Sequence, residues 1–164
     1  MPIFSDIARQ KKINFFIKPI PKTAAILEVG CGNNWLGNYL LNNGWKNYTG
    51  IDLEGKPTIK GDIKNWKAIG LMPEEYDIII AFEVVEHDDI WNVCYSLLKP
   101  VGSLLITTPN PVGDTILKIL EYIGLNQKRT SEHIYLRNIK KIKHFTTVYY
   151  KKIAQLSQWA IFKK

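Results

Sequence analysis

Cysteine is scarce. Cys31 and Cys94 stand far apart with no C-x-x-C pair, which excludes a disulfide framework and a thiolate zinc knuckle and points to two reduced thiols. Histidine is equally thin: residues 87, 133 and 144 are scattered, so no metal cluster is expected. No apolar run approaches the 18 or more residues of a membrane span. The start, Met-Pro-Ile-Phe-Ser-Asp, has no basic region leading into an apolar core, so no signal peptide is expected. These absences together lead us to expect a cytoplasmic protein. Internal repeats, low-complexity tracts and linkers are also missing, and 164 residues suit one domain.

What is present is ordinary in amount and uneven in placement. Apolar residues make up 46% and charged residues 23%, as in globular domains generally. Residues 1–127 carry 12 Lys and Arg against 14 Asp and Glu, whereas residues 128–164 carry 10 against Glu132 alone. A segment this basic raises the local concentration of anions. It reads either as a solvated amphipathic surface or as a contact for an anionic substrate, nucleic acid or phospholipid.

The most informative stretch is Ile26-Leu27-Glu28-Val29-Gly30-Cys31-Gly32-Asn33-Asn34, followed by Gly50-Ile51-Asp52. It reads as a buried strand, a Gly-rich turn, a helix, and a second strand ending in a carboxylate. Glycines admit positive φ and close backbone approach. An acid 20 positions after Gly32, at Asp52, is spaced to hydrogen-bond a ribose diol. A dinucleotide does not fit. Its third fingerprint glycine would fall at Trp35, and Glu28 would repel a pyrophosphate. No Gly-Lys-Ser or Gly-Lys-Thr follows, which excludes a P-loop. A nucleoside cofactor bearing positive charge satisfies both observations.

The E-x-G-x-G pattern at Glu28 resembles motif I of the class I S-adenosylmethionine-dependent methyltransferases, and further segments follow in that family's order. Gly50-Ile51-Asp52-Leu53 resembles the second motif, Gly61-Asp62-Ile63 the segment after strand three, and Tyr76 to Phe82 with the trailing Glu83-Val84-Val85-Glu86-His87 the fourth strand and its loop. Leu97 to Ile106 resembles the next helix, turn and strand, and Thr107-Thr108-Pro109-Asn110-Pro111 with Glu132-His133 is similar to the ubiquinone-biosynthesis-like and broad small-molecule branches. The match covers about residues 24–135. One departure is Asn34, where motif I usually has a third small residue; Asn tolerates left-handed backbone better than other non-glycine residues.

The resemblance implies S-adenosylmethionine as cofactor, with S-adenosylhomocysteine as product. It assigns Asp52 to the ribose, Leu53 to the adenine face, Asp62 with Ile63 to the adenine edge, and Glu28 to the methionine end. Gly30, Cys31, Gly32 and Asn34 form the turn beneath the cofactor, and Ala81 and Phe82 lie beside its amino group. Cys31 is read as a small residue that fits the turn. If the acceptor is a hydroxyl, His133 or His87 is a candidate base, since an imidazole titrates near neutrality; each has a structural alternative, His87 as a helix cap. The acceptor is read as a small molecule, glycan or lipid precursor. RNA or DNA bound through residues 128–164 is one alternative, and a cofactor-binding scaffold without catalysis is another. The oligomeric state stays open.

Periodicity predicts a helix over 3–18 closed by Pro19 and Pro21, strands over 24–30 and 47–51 and near 57–60, and a helix over 34–43. It continues with a weak helix over 64–70, strand 76–82, helix 89–98 opened by Asp88-Asp89, and strand 103–108. A helix over 113–124, a short helix near 137–143, and two strands within 145–163 complete the chain. This alternation predicts an α/β, Rossmann-like doubly wound sheet, mostly parallel. The resemblance adds the strand order 3-2-1-4-5-7-6 with strand seven antiparallel. Within a single 1–164 domain, residues 1–21 are read as lead-in, 24–108 as the cofactor half, and 109–164 as acceptor region and closing strands.

Overall fold

The computed structural model describes residues 3–113, 122 and 135–164. Seven strands form one sheet: β1 Ile26–Val29, β2 Tyr48–Asp52, β3 Ile59–Lys60, β4 Tyr76–Phe82, β5 Leu98–Pro109, β6 Thr146–Ile153 and β7 Ser157–Lys163. Their order is β3-β2-β1-β4-β5-β7-β6. The first five run parallel, and β7 runs antiparallel to both β5 and β6. Fold class and strand order are therefore as the resemblance implied. Described helices are α1 Ile3–Lys12, α2 Trp35–Asn42 and α3 Trp91–Leu97.

Alternation along the central strands divides the core in two. Ile26, Ile80 and Leu105 face a cluster with Phe16, Ile17, Leu36, Leu40 and Trp159. Leu27, Ile79 and Leu104 face another with Trp91, Leu97 and Phe162. Covering both faces explains why β4 is nearly all apolar. Glu28 is two positions beyond Ile26 and so points to the side packed by α2.

Five elements depart from the sequence reading, most of them where a tertiary contact overrides local pattern. The first helix ends at Lys12 and gives way to a π-helical turn, Ile13–Ile17, closed by Lys18 N–H donating to Ile13 O at 3.0 Å. The wider turn buries Ile13, Phe16 and Ile17 together and sets Phe16 5.3 Å from Phe82 and 5.1 Å from Trp159, ring centre to ring centre. The weak helix over 64–70 shrinks to a 3-10 turn, Ile63–Asn65, capped by Asp62. The helix of the fourth strand's loop begins at Trp91, because Asp88 is turned aside: its carboxylate accepts from Asp89 N–H at 2.8 Å and pairs with Lys64 at 2.9 Å.

The short helix near 137–143 does not form. The buried Gln158 claims that backbone instead: its amide donates to Arg137 O at 2.8 Å and its carbonyl accepts from Ile139 N–H at 3.2 Å. The fifth strand is longer than read, starting at Leu98 through an irregular pairing between Tyr76 and Ile78. Of the expected helix 113–124, only Gly113 and Tyr122 are described, and the rest lies outside the described residues.

Candidate functional site

At the carboxyl ends of β1 and β4 the chain order reverses, β1 leading out to β2 on one side and β4 lying on the other. Open α/β sheets bind ligands at such a switch point. The Gly-rich turn sits there. Gly30 has φ 73° and Gly32 φ 52°, both in the left-handed region that favours glycine. A side chain on Gly30 would collide with Val84 from the loop after β4, whereas one on Gly32 would meet nothing within 4 Å. The open face above Gly32 is room that a ligand can approach.

Asp52, at the end of β2, is hydrogen-bonded to this turn. One carboxylate oxygen accepts from Gly32 N–H at 2.7 Å and the other from Glu54 N–H at 3.0 Å. An ionised carboxylate has about four acceptor sites, so capacity for hydroxyl donors is left. Lys56 N–H closes the same loop by donating to Gly32 O at 2.9 Å. Leu53 beside it is 63% exposed, an apolar surface facing out at the rim. Asp62 accepts from Lys64 N–H at 2.9 Å, and the Lys64 ammonium spans to Asp88 at 2.9 Å. Ile63, by contrast, is packed in the core and supports the rim from below.

Glu28 is 3% exposed. Burial pushes its carboxyl up to about 7, the Asp52 charge adds to this, and Tyr48 and Lys12 oppose it. Its partner, Tyr48, was not singled out from the sequence. The phenol oxygen lies 2.6 Å from Glu28 Oε2 and 2.7 Å from Asn34 Oδ1. Alternation does put Tyr48 on the face of Gly50, but that Gly50 is the register partner of Glu28 is not written in the chain. Asn34 takes φ 59° and ψ 33°, so the left-handed geometry expected of it is present. Cys31 is buried, and burial first, then Glu28 and Asp52, push its thiol up to about 12. A thiol held protonated is a poor nucleophile, which leaves it a packing role.

On the β4 side, Ala81 is fully buried and Phe82 lies beneath α1, with the Lys12 ammonium 5.2 Å from its ring. Lys12 also pairs with Glu83 at 2.8 Å, and Thr107 donates to the same carboxylate at 2.7 Å. Glu86 is buried and accepts from Thr108 at 2.8 Å, while its Oε1 finds no hydrogen-bond partner among the described residues. Burial first, then Glu83, hold its carboxyl well above the usual range. His87 lies with Nε2 4.0 Å from Glu86 Oε1. It is not the helix cap, since α3 starts at Trp91. His133 lies outside the described residues.

Residues 5–162 match the family described as Methyltransferase domain. The chain belongs to that family. Ubiquinone biosynthesis O-methyltransferases resemble it in part: the one of Pseudomonas savastanoi pv. phaseolicola (strain 1448A / Race 6) is 27% identical over 104 residues, and that of Pseudomonas putida (strain W619) 28% over 103. Each alignment covers 52% of this chain and 44% of the relative, so the chain spans less than half the length of the curated relatives it matches. Among solved structures, the PH0226 protein of Pyrococcus horikoshii OT3 superposes with a TM-score of 0.69 at 13% identity, over 96% of this chain and 90% of that one. An S-adenosylmethionine dependent methyltransferase from Mesorhizobium loti gives 0.59 at 13%, over 88% and 94%.

The cofactor of a methyltransferase domain of this class is S-adenosylmethionine, and the residues present fit it. Room above Gly32, a carboxylate bound to that same turn, and an exposed apolar rim suit a nucleoside, and two acids near the turn suit a cation better than a pyrophosphate.

The two raised carboxyls have a consequence for stability. A Glu in an unfolded chain titrates near 4.3, so the folded domain holds protons at Glu28 and Glu86 that the unfolded chain releases. That contribution is fully present below about pH 4.3 and is lost as pH rises through about 7 at Glu28, because unfolding then releases protons. The melting temperature is expected to fall between pH 5 and 8. Glu28→Gln should flatten that fall; an equal fall in the variant would refute the assignment.

Proposed function

We propose that this domain transfers a methyl group from S-adenosylmethionine to a small-molecule, glycan or lipid-precursor acceptor. The observation that carries the reading is the Gly32 amide bound to the Asp52 carboxylate at the switch point of the sheet. Bound there, S-adenosylmethionine supplies a methyl group already activated on sulfonium. Asp52 holds the ribose hydroxyls, Leu53 seats the adenine, and Asp62 accepts at its edge through the oxygen that Lys64 N–H does not use. Glu28 places negative charge near the methionine end, and the backbone at Ala81 and Phe82 lines the amino group's side. The protein's main contribution is placement, since holding reactants in near-attack geometry is worth roughly 7–11 kcal/mol.

For a hydroxyl acceptor, His87 is the described candidate to take the proton, with Glu86 Oε1 4.0 Å from its Nε2. His133 keeps its place as a candidate from the resemblance alone. Several cations of the basic C-terminal segment are engaged in the fold: Lys164 pairs with Glu74 at 2.9 Å, Lys163 donates to Val101 O at 2.7 Å, and Arg137 lies 3.7 Å from Asp89. These contacts favour a small acceptor over nucleic acid.

Calorimetric titration with S-adenosylmethionine tests the reading. Saturable binding at one site is expected; no binding at millimolar ligand would refute the cofactor reading, and binding without any transfer would favour the scaffold alternative. A methyl-transfer screen over metabolite, glycan and RNA pools then names the acceptor, and salt-sensitive transfer into RNA alone would favour the nucleic-acid reading.

A further inference from the structure

Tyr48 occupies a place that two glycines, Gly37 and Gly50, leave open. It stands on β2 two positions before Gly50, on the face shared with Glu28. A Cβ on Gly50 would press against the Tyr48 oxygen, and one on Gly37 of α2 would collide with the Tyr48 ring and with Asn34 Oδ1. The phenol is thus threaded between strand and helix until its oxygen lies 2.6 Å from Glu28 Oε2 and 2.7 Å from Asn34 Oδ1. Asn34 occupies the third small position of motif I, and the link from the acid to the turn runs through this one hydroxyl.

The hydroxyl has a single proton, yet both neighbours are acceptors. Both contacts are satisfied together when Glu28 carries a proton of its own, donating to the Tyr48 oxygen while Tyr48 donates to Asn34 Oδ1. When Glu28 ionises, Tyr48 turns its proton to the carboxylate, and Asn34 must give up its Oδ1 contact or turn its amide to donate through Nδ2. The charged and titratable groups facing Glu28 are the Tyr48 phenol, the Asp52 carboxylate and the Lys12 ammonium, with the Cys31 thiol packed alongside. Burial and Asp52 favour the acid form, Tyr48 and Lys12 the anion, and the balance falls at about 7. The switch is therefore set where a new positive charge nearby tips it.

The geometry points to Tyr48 as a positioning residue that couples the charge of the cofactor sulfur to the Gly-rich turn: a bound sulfonium draws Glu28 into its anionic form and a neutral thioether does not. The O–H bond of Glu28 breaks, its electron pair stays on the carboxylate, and the proton leaves to solvent. The anion attracts the sulfonium and not the uncharged sulfur of the product, so the donor gains affinity relative to the product as Glu28 ionises. This inference rests on the cofactor reading above.

The test is calorimetry of S-adenosylmethionine and S-adenosylhomocysteine in buffers of different ionisation enthalpy, from pH 5.5 to 8. The ligands' amino groups titrate too, so the readout is the difference between wild type and Glu28→Gln. For wild type, about half a proton is expected to leave near pH 7 with the donor and almost none with the product. Relative affinity for the donor should rise about tenfold as pH climbs to 7 and then level. Glu28→Gln should abolish both effects. Tyr48→Phe keeps the ring but removes a bond that favours the anion, and should move the levelling point to higher pH, which a merely structural tyrosine would not do. Equal proton release for the two ligands, or an unmoved levelling point in Tyr48→Phe, overturns the inference while leaving the cofactor reading intact. Failure of both ligands to bind overturns the two together.

Discussion

Replacing Asp52 with alanine is expected to weaken S-adenosylmethionine binding by about 1.5–3 kcal/mol, the range for hydrogen bonds to a charged group, or roughly tenfold to more than a hundredfold. Two effects add. Under the proposed function the ribose hydroxyls lose their acceptor, and the Gly32 and Glu54 amides lose theirs even without ligand. Asp52→Asn separates them, because a side-chain carbonyl can still receive one amide while the negative charge is gone. Titration calorimetry on both variants, with thermal melts to show that each is folded, reads the result. Unchanged affinity in Asp52→Ala would remove Asp52 from the site.

Gln158→Leu is expected to cost about 3–5 kcal/mol of stability and to lower the melting temperature by roughly 10 °C, at about 2–4 °C per kcal/mol for a domain of this size. The side chain is fully buried. Its amide donates to Pro109 O at 3.1 Å and Arg137 O at 2.8 Å, and its carbonyl accepts from Ile139 N–H at 3.2 Å and Tyr150 O–H at 3.0 Å. Leucine nearly matches the volume but leaves these groups unpaired, at about 1–3 kcal/mol for each buried group left unsatisfied. Urea denaturation with an unchanged slope would show that stability alone has moved. A loss under 1 kcal/mol would mean that residues 137–139 find other partners, and that Gln158 does not pin them.

How legible the site was can be seen residue by residue. Glu28, Gly30, Gly32 and Asp52 lie close in sequence to the turns they serve, and they were singled out by residue type and spacing; the hydrogen bond from Gly32 N–H to Asp52 was not, and came from the fold. Tyr48 was invisible because its role depends on strand register and on space left by glycines of two different elements. Lys12 was missed for the same reason, since its partner Glu83 is 71 positions away. Asp88 misled, because a side chain with the right chemistry for a helix start was drawn to Lys64.

The amino-acid order by itself determined the α/β class, the strands from β1 to β5 and the position of the Gly-rich turn. These rest on side-chain periodicity and backbone conformational limits, which act over a few neighbouring residues. Tertiary structure decided where the first helix widens into a π turn, why residues 137–143 form no helix, and which hydroxyl meets the buried acid. Those outcomes depend on burial: removing a polar group or an aromatic ring from water outweighs the few tenths of a kcal/mol per residue by which local propensities differ.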